Sequence, residues 1–361
     1  MRIGIIGAGQ LGRMMALSGI PLGLEFTMYD RSATVPGAAV AKIVTGAFDD
    51  SKKLERFARS VDVVTVDWEN VPVASARAIA KIRPVWPPPR ALEVAQDRLF
   101  EKHLFQRLGM RVAPFAAVDS EADLARAITR LGVPGILKTR RLGYDGKGQA
   151  RVRQARDAGD AWARLRGQSL IYERFVNFSR EVSLVAVRDR AGSVRNYPLA
   201  ENEHEQGILA VTRAPFTSLR LQLAAQRNHH RLFMALGYVG VLCVEYFVER
   251  GRLVANEMAP RVHNSGHWSI EGAETSQFEN HVRAIAGLPL GDTRPRGHSV
   301  MVNLIGRMPV AEKLLATAGM HLHDYGKAPR PGRKLGHVTF VTSKRALRDR
   351  VARQLRRRLI S

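Results

Sequence analysis

A short apolar run, Arg2–Ile6, ends in Gly7-Ala8-Gly9-Gln10-Leu11-Gly12 and passes into a helical pattern over Leu11–Ser18. Nothing else in the chain limits its fold so much. A buried strand that turns on glycines into a helix opens a parallel sheet with helices on its faces. The alternation continues. Glu25–Tyr29 reads as a second strand ending at Asp30, Ser51–Arg59 as a helix, Val61–Val66 as a β-branched strand and Val73–Ile82 as a helix. The proline-rich Arg83–Arg90 then breaks the pattern and predicts a domain boundary.

Beyond it the signals change. Asp97–Leu108 and Glu121–Leu131 read as helices, and Ile136–Thr139 as a strand entering the glycine-rich Leu142–Gln149. Ala150–Val152, Ser169–Phe175, Glu181–Val187, Val194–Pro198 and Gly207–Ala214 are strand candidates, so the middle region is expected to be mostly antiparallel β. Ser218–Leu236 is a long helix. Val239–Val248 and Arg252–Asn256 predict a hairpin across Glu249-Arg250-Gly251, and Thr275–Ala286 a helix closed by Gly287 and Pro289. Strands are expected near Ser299–Leu304 and Gly336–Val341. Leu347, Val351, Leu355 and Leu359 recur every four residues, which predicts a terminal amphipathic helix with Arg350, Arg353, Arg356 and Arg357 on its polar face.

The glycine motif with Asp30 fits a dinucleotide site, a site for any phosphate at a helix N-terminus, or a tight turn with nothing bound. Three further groups carry chemistry. Gly143-Tyr144-Asp145-Gly146-Lys147-Gly148-Gln149, with Lys138 just upstream, can fold backbone N–H groups over phosphates, but it is no Walker A loop and equally fits a hairpin. Glu245 interrupts the apolar run Val241–Phe247 and faces Asn256-Glu257 across the predicted hairpin. Two carboxylates and an amide oxygen suit Mg²⁺; the bland alternative is a pair of exposed acids. Pro260–Trp268 (PRVHNSGHW) gathers cationic, imidazole, amide and hydroxyl groups in one loop.

Composition bounds the function. With 361 residues, 45% apolar and 25% charged, the chain is an ordinary globular protein of two or three domains, with no run long enough for a membrane span. The N-terminus is too glycine-rich for a secretory signal. The lone Cys243 excludes an intrachain disulfide and a cysteine-cluster zinc site and predicts a reducing, cytoplasmic setting. The net charge of +23 invites a nucleic-acid reading, but +7 of it lies in Phe340–Ser361, read as a solvated helix. No specific nucleic-acid partner is expected.

A nonclassical glycine loop after a lysine strand, with Glu and then Asn-Glu on a later hairpin, resembles the ATP-grasp superfamily. Within it the chain is similar to the N5-carboxyaminoimidazole ribonucleotide synthetases of purine biosynthesis. The resemblance is carried along the whole chain by GAGQLGRM, ENVP (69–72), QDRLFEKHLF (96–105), GYDGKGQ, EVSL (181–184), HEQGIL (204–209), NEMAPRVHNSGHW (256–268), GLPLG (287–291) and RPGRKLGH (330–337). It implies an α/β chain of three parts: a Rossmann-like parallel sheet (1–92), an ATP-grasp α+β region (93–290) with a mobile lid at about 112–175, and a small β-rich C-terminal part (291–361) ending in the basic helix.

The resemblance also implies roles. Arg98, Lys138 and the loop Gly143, Tyr144, Asp145, Gly146, Lys147, Gly148 and Gln149 would contact ATP phosphates. Glu173, Arg174, Phe175 and Val176 would form the hinge beside adenine, Glu181 would bind the ribose, and His204 would lie near the nucleotide. Glu245 and Glu257 would hold Mg²⁺, or Mn²⁺, with Asn256 beside them. Glu69, Tyr144, Arg261, His263, Asn264 and Ser265 would surround aminoimidazole ribonucleotide and bicarbonate. Gly9, Gln10 and Leu11, with Lys327, Arg333 and Lys334, would hold the ribotide phosphate. Arg261, His263, Asn264 and Lys138 would be catalytic, His263 handling a proton because an ordinary imidazole titrates near neutrality. Neither NAD nor biotin is implied; a homodimer and coupling to the mutase that follows in the pathway are.

The pattern departs at two positions. Leu142 stands where the family has glycine, and Asp67 where it has glutamate. Another ATP-grasp ligase, such as a formate-dependent glycinamide ribonucleotide formyltransferase or a biotin-dependent carboxylase subunit, is disfavoured by RVHNSGHW and RPGRKLGH. An NAD-dependent oxidoreductase rests on GAGQLG and Asp30 alone.

Overall fold

The computed structural model describes residues 1–143 and 146–359. Strands β1 (Arg2–Ile6), β2 (Glu25–Asp30), β3 (Lys42–Thr45) and β4 (Val63–Val66) form a parallel sheet in the order β3-β2-β1-β4. Helix α1 (Gln10–Gly19) buries Leu11, Met14 and Met15 against one face, and α2 (Ser51–Arg59) buries Leu54 and Phe57 against the other. Helix α3 (Val73–Ala80) follows. Strand β3 carries no sequence signal because its four residues are all partly exposed at the sheet edge. The proline-rich segment, expected as a domain boundary, is packed. Val85 bridges to Val64, and the last proline opens α4 (Pro89–Ala95), whose Ala91 and Leu92 are fully buried. A proline in the first turn costs a helix nothing, since that amide has no partner in any case.

Helix α5 (Arg98–Arg107) leads to a four-stranded antiparallel sheet with its own apolar core. Its elements are β5 (Phe115–Val118), α6 (Glu121–Leu131), β6 (Gly135–Thr139), β7 (Gln149–Val152), α7 (Ala158–Leu165) and β8 (Leu170–Arg174), with strand order β5-β8-β6-β7. The rest of the chain builds a large antiparallel sheet. It comprises β9 (Arg180–Arg188), β10 (Val194–Asn196), β11 (Ala200–Glu205), β12 (Ile208–Ala214), α8 (Leu219–Leu236), β13 (Gly240–Glu249), β14 (Arg252–Ala259), α9 (Ser269–Gly272), α10 (Gln277–Ala286), β15 (His298–Ile305), α11 (Ala311–Leu315), β16 (Met320–Asp324), β17 (Lys334–Thr342) and α12 (Arg345–Leu359). The order is β14-β13-β9-β11-β12-β15-β17-β16, with β10 on β9. The C-terminal strands therefore extend the central sheet through the β12–β15 pairing, where Val211 faces Val302. That continuity carries the C-terminal cations to the mouth of the site. No described helix is long and apolar enough to cross a membrane.

His281 of α10 ties the N-terminal sheet to the central one. Its Nε2 meets Thr65 Oγ1 at 2.8 Å, and its Nδ1 accepts the Val241 amide at 3.1 Å. Burial pushes its pKa down to about 4, so the ring is neutral in the fold. The unfolded ring takes up a proton below about 6.5, so its share of stability is lost as pH falls from that value toward 4. Urea unfolding at pH 7.5 and 5.5 checks this. The wild-type loss of stability should exceed that of His281→Gln, which cannot titrate, by on the order of 1 kcal/mol. Equal pH slopes would refute the assignment.

Candidate active site

The hairpin β13–β14 places Glu245 directly opposite Glu257, and opposite residues of an antiparallel pair project from the same face. The register shifts between Glu245 and Tyr246, where Ala255 is the next partner, so Asn256 is the extra residue of a bulge. Its Oδ1 is buried with no hydrogen-bond partner among the described residues. Burial, with Glu257 and Glu181 nearby, raises the Glu245 carboxyl above its ordinary range. Burial would raise Glu257 too, but Arg98 outweighs it, its Nη1 2.7 Å from Glu257 Oε2, and the net shift is downward.

A second cluster lies on α5, β6 and β8. Lys138 Nζ and Lys102 Nζ stand 3.2 and 3.3 Å from Glu173 Oε2. Burial opposes the Glu173 charge, yet the two ammonium groups hold its carboxyl down at about 2, and Oε1 has no hydrogen-bond partner among the described residues. One carboxylate between two ammonium groups leaves surplus positive charge beside Arg98. The Glu173 side chain thus holds the lysines, and Glu173, Arg174, Phe175 and Val176, the residues expected to form the hinge, all line the cavity. Phe178 and Phe247 stack at 4.5 Å in the same wall and offer an apolar face to a base. His204 pairs with Glu181. Burial works against its charge, but Glu181 and the nearby Glu245 hold its pKa up at about 9.

These groups, apart from the buried Lys102 behind Glu173, line a cavity of about 830 Å³, together with Gly146, Lys147 and Gln149. A second cavity of about 840 Å³ joins the α1 turn to the RVHNSGHW loop and the C-terminal cations. Gly9, Gln10, Leu11, Glu69, Gly143, Arg261, His263, Asn264, Lys327, Arg333 and Lys334 all line it, as do Arg330 and Glu101. Arg98, Lys147, Glu245 and Glu257 belong to both cavities.

Arg261 forms a two-bond fork with Glu69, Nη2 donating to Oε1 at 2.9 Å, and its Nη1 donates to the Val262 carbonyl at 3.0 Å. Burial would raise the Glu69 carboxyl, but Arg261 holds it below its ordinary value. Asn264 exchanges amide hydrogen bonds of 3.1 and 2.7 Å with the fully buried Asn303.

Several expectations change. Burial, then Arg261, pushes His263 down to about 3, so it is neutral rather than poised near neutrality. Its Nδ1 accepts the Ser265 amide at 3.3 Å, which puts the ring proton on Nε2, 3.9 Å from Glu245 Oε1. It is therefore a hydrogen-bond donor toward the cavity. Ser265 is fully buried between Ser183 and His263, so it orients the ring and lines neither cavity. Gly148 lies outside both cavities, turned at φ +70° against Thr139. The Gly9 amide is taken by Asp67, which also accepts Gly12 N–H at 3.0 Å, while Asp30 accepts Ala8 N–H at 2.8 Å. Of the three turn residues expected at the phosphate, only Gln10 and Leu11 keep first-turn amides that no helical carbonyl can use. Leu142 adopts φ 60°, the left-handed conformation glycine takes without cost. Tyr144 and Asp145 lie outside the described residues.

Sequence reasoning missed Glu101, Lys102 and Asn303. Glu101 accepts the Met258 amide at 2.6 Å, and burial, then Glu257, pushes its carboxyl up to about 8. Both α5 residues are charged side chains in a helix that the sequence marks only by its pattern, and nothing in that pattern shows that they are buried.

Comparison with known proteins converges. The ribonucleotide synthetase preATP-grasp domain matches residues 1–96, the ATP-grasp domain residues 103–278, and the phosphoribosylaminoimidazole carboxylase C-terminal domain residues 299–350. The N5-carboxyaminoimidazole ribonucleotide synthase of Pseudomonas aeruginosa is 48% identical over 353 residues, 98% of each chain. The crystal structure of the Thermus thermophilus synthetase shares 52% identity at a TM-score of 0.94, again over 98% of each chain. The Aspergillus clavatus synthase, solved with ADP and 5-aminoimidazole ribonucleotide, shares 28% identity at a TM-score of 0.92, over 100% of this chain and 99% of the other. With three domains in the same order and this identity across its length, the chain belongs to the N5-carboxyaminoimidazole ribonucleotide synthase family of ATP-grasp ligases.

Proposed function

We propose that the chain carboxylates 5-aminoimidazole ribonucleotide with bicarbonate at the expense of ATP, releasing N5-carboxyaminoimidazole ribonucleotide, ADP and phosphate in purine biosynthesis. One observation supports this above the others. A cavity with an aromatic wall and surplus lysine charge meets a cavity with a cationic phosphate end, and they share Arg98, Lys147, Glu245 and Glu257. A phosphoryl donor and an acceptor would touch there.

Bicarbonate is a poor electrophile because hydroxide would have to leave. If a bicarbonate oxygen attacks the γ-phosphorus and ADP departs, the carboxyphosphate formed has phosphate as its leaving group instead. Negative charge spreads over the transferring oxygens, and Lys138, Arg98 and Lys147 lie where they neutralise it. The exocyclic amine of the ribotide then attacks the carboxyl carbon, or CO₂ released from it; phosphate leaves and the amine gives up a proton. Arg261 steadies bicarbonate with the guanidinium donors that Glu69 and Val262 leave over, and His263 adds its Nε2–H. Gln10, Leu11, Lys327, Arg333 and Lys334 hold the ribotide phosphate. Since carboxyphosphate hydrolyses, keeping water from the junction while it forms is part of the task.

A divalent cation fits the junction. Two carboxylates and the unpartnered Asn256 Oδ1 form an oxygen set, and no group of three or more His, Cys, Asp or Glu residues competes as a metal site among the described residues. Glu245, Glu257 and Asn256 would hold Mg²⁺ or Mn²⁺, which when bound neutralises phosphate charge. A cytoplasmic homodimer that passes its product to the following mutase completes the reading, and rests on the family resemblance.

The test is ADP release from Mg-ATP with ¹⁸O-labelled bicarbonate, with and without the ribotide. Release should rise steeply with ribotide, and each phosphate should carry one labelled oxygen. Turnover indifferent to ribotide would overturn the substrate, and unlabelled phosphate would overturn the route.

A further inference from the structure

The basic C-terminal helix reaches the nucleotide cavity. Its apolar stripe, Val351, Ala352 and Leu355, is buried in one apolar cluster with Val300, Val302 and Leu304 of β15 and Val338 and Phe340 of β17. That packing holds α12 on the sheet, and Arg356 near its end lies in the cavity wall, where it meets the acids of β11. Arg356 Nε and Nη2 both donate to Glu205 Oε1, at 2.9 and 2.8 Å, and Nη1 reaches Glu203 Oε2 at 3.4 Å. The other oxygen of Glu203 pairs with Arg213, whose Nε lies 4.0 Å from Asp349 on α12.

This wall is acidic where its ligand is a polyanion. Glu201 and Glu203 line the cavity, with Glu205 beside them at the start of the hairpin turn. Arg180 pairs with Glu201, and Arg213 shares Glu203 with Arg356, whose closest contacts are to Glu205. The turn is also a structural stop. Gln206 and Gly207 both have positive φ, and a Cβ on Gly146 would come within 2.8 Å of the Gln206 carbonyl oxygen. Gly146 of the glycine loop thus rests on the hairpin that Arg356 anchors.

Granting the ATP reading of this cavity, we infer that Arg356 is a positioning residue for ATP, neutralising the acidic wall and fixing the hairpin against which the glycine loop sits. A side-chain amide in its place leaves Glu205 as an unpaired charge close to the triphosphate and frees the turn.

The experiment measures ATP and ADP dissociation constants in Mg²⁺ by calorimetry, without ribotide, alongside steady-state turnover of the full chain. Arg356→Gln should weaken nucleotide binding about three- to ten-fold, less at high salt, and leave the KM for ribotide within about twofold. Arg356→Lys keeps the charge but not the fork, and should fall between. Adding Glu205→Gln to Arg356→Gln should restore affinity to within about twofold of wild type, because the unpaired charge is gone and only the smaller cost of the freed turn is left. Arg353→Gln, on the same helix but outside the cavity, should bind as wild type does. Unchanged affinity in Arg356→Gln, or a loss that Glu205→Gln fails to restore, would overturn the inference and leave the helix a packing element. Wild-type protein that binds ATP but shows no ribotide-dependent turnover would remove the proposed substrate while leaving this inference standing; absence of ATP binding would remove both.

Discussion

Arg261→Lys should lower ribotide-dependent ADP release by about 10³-fold while ADP affinity stays within about twofold of wild type. The guanidinium is fixed from behind by two bonds to Glu69 and one to the Val262 carbonyl, so its remaining N–H groups point into the ribotide cavity with little freedom. A planar fork held this way meets a carboxylate-shaped anion with no reorganisation as charge develops on it. Lysine keeps the charge but offers one point of attachment, and Glu69 would compete with the substrate for it. Removing one aligned donor from a developing oxyanion typically costs 10²–10³ in rate, and this substitution disturbs the fork and its anchor together. Glu69→Gln should cost less, since a neutral acceptor still orients one edge of the guanidinium. Steady-state assays on both variants, with calorimetric ADP binding as control, decide the matter. A lysine variant within tenfold of wild type would mean that Arg261 supplies only charge.

The legibility of this site in the sequence varied with how each residue earns its place. Glu245 was visible because it breaks an apolar strand, and an acid in a buried strand needs a reason. The parallel sheet was visible because β1, β2 and β4 are buried runs with helices between. Strand β11 was not. Ala200–Glu205 reads AENEHE, with little β propensity, and is extended only because β9 and β12 bond it on both sides. Its side chains then supply the acidic cavity wall, so one missed strand hid the partners of Arg356, and the terminal helix looked merely solvated. Ser265 erred the other way. It sits inside the most distinctive motif, but in the tight turn Asn264–Gly266 Asn264 lines the cavity while Ser265 turns into the core. A motif marks a neighbourhood; the turn geometry decides which side chain faces the ligand. Burial likewise took His263 from a presumed proton carrier to a neutral donor, a change no spacing rule contains.

Glu257→Gln should abolish most turnover, by about 10³-fold or more, and its signature should be a collapsed dependence of nucleotide binding on Mg²⁺. Glu257 belongs to both cavities, faces Glu245 across the hairpin and carries the bond to Arg98. Without a cation the two carboxylates repel a triphosphate, so loss of one should leave metal-free ADP binding unchanged or tighter. With a cation the same loss removes a ligand, so binding should weaken. The ratio of ADP affinities with and without Mg²⁺ therefore falls toward one, and by reciprocity the benefit that ADP gives to Mg²⁺ binding falls equally. Simple misfolding would not produce that pattern, because it would weaken both affinities together. Arg98 loses its counter-ion in the variant, and a thermal melt separates that structural cost from the metal effect. A variant that loses turnover yet keeps the wild-type response of ADP binding to Mg²⁺ would show that Glu257 serves to hold Arg98, and the cation site would then have to be sought around Glu245 and Asn256 without it.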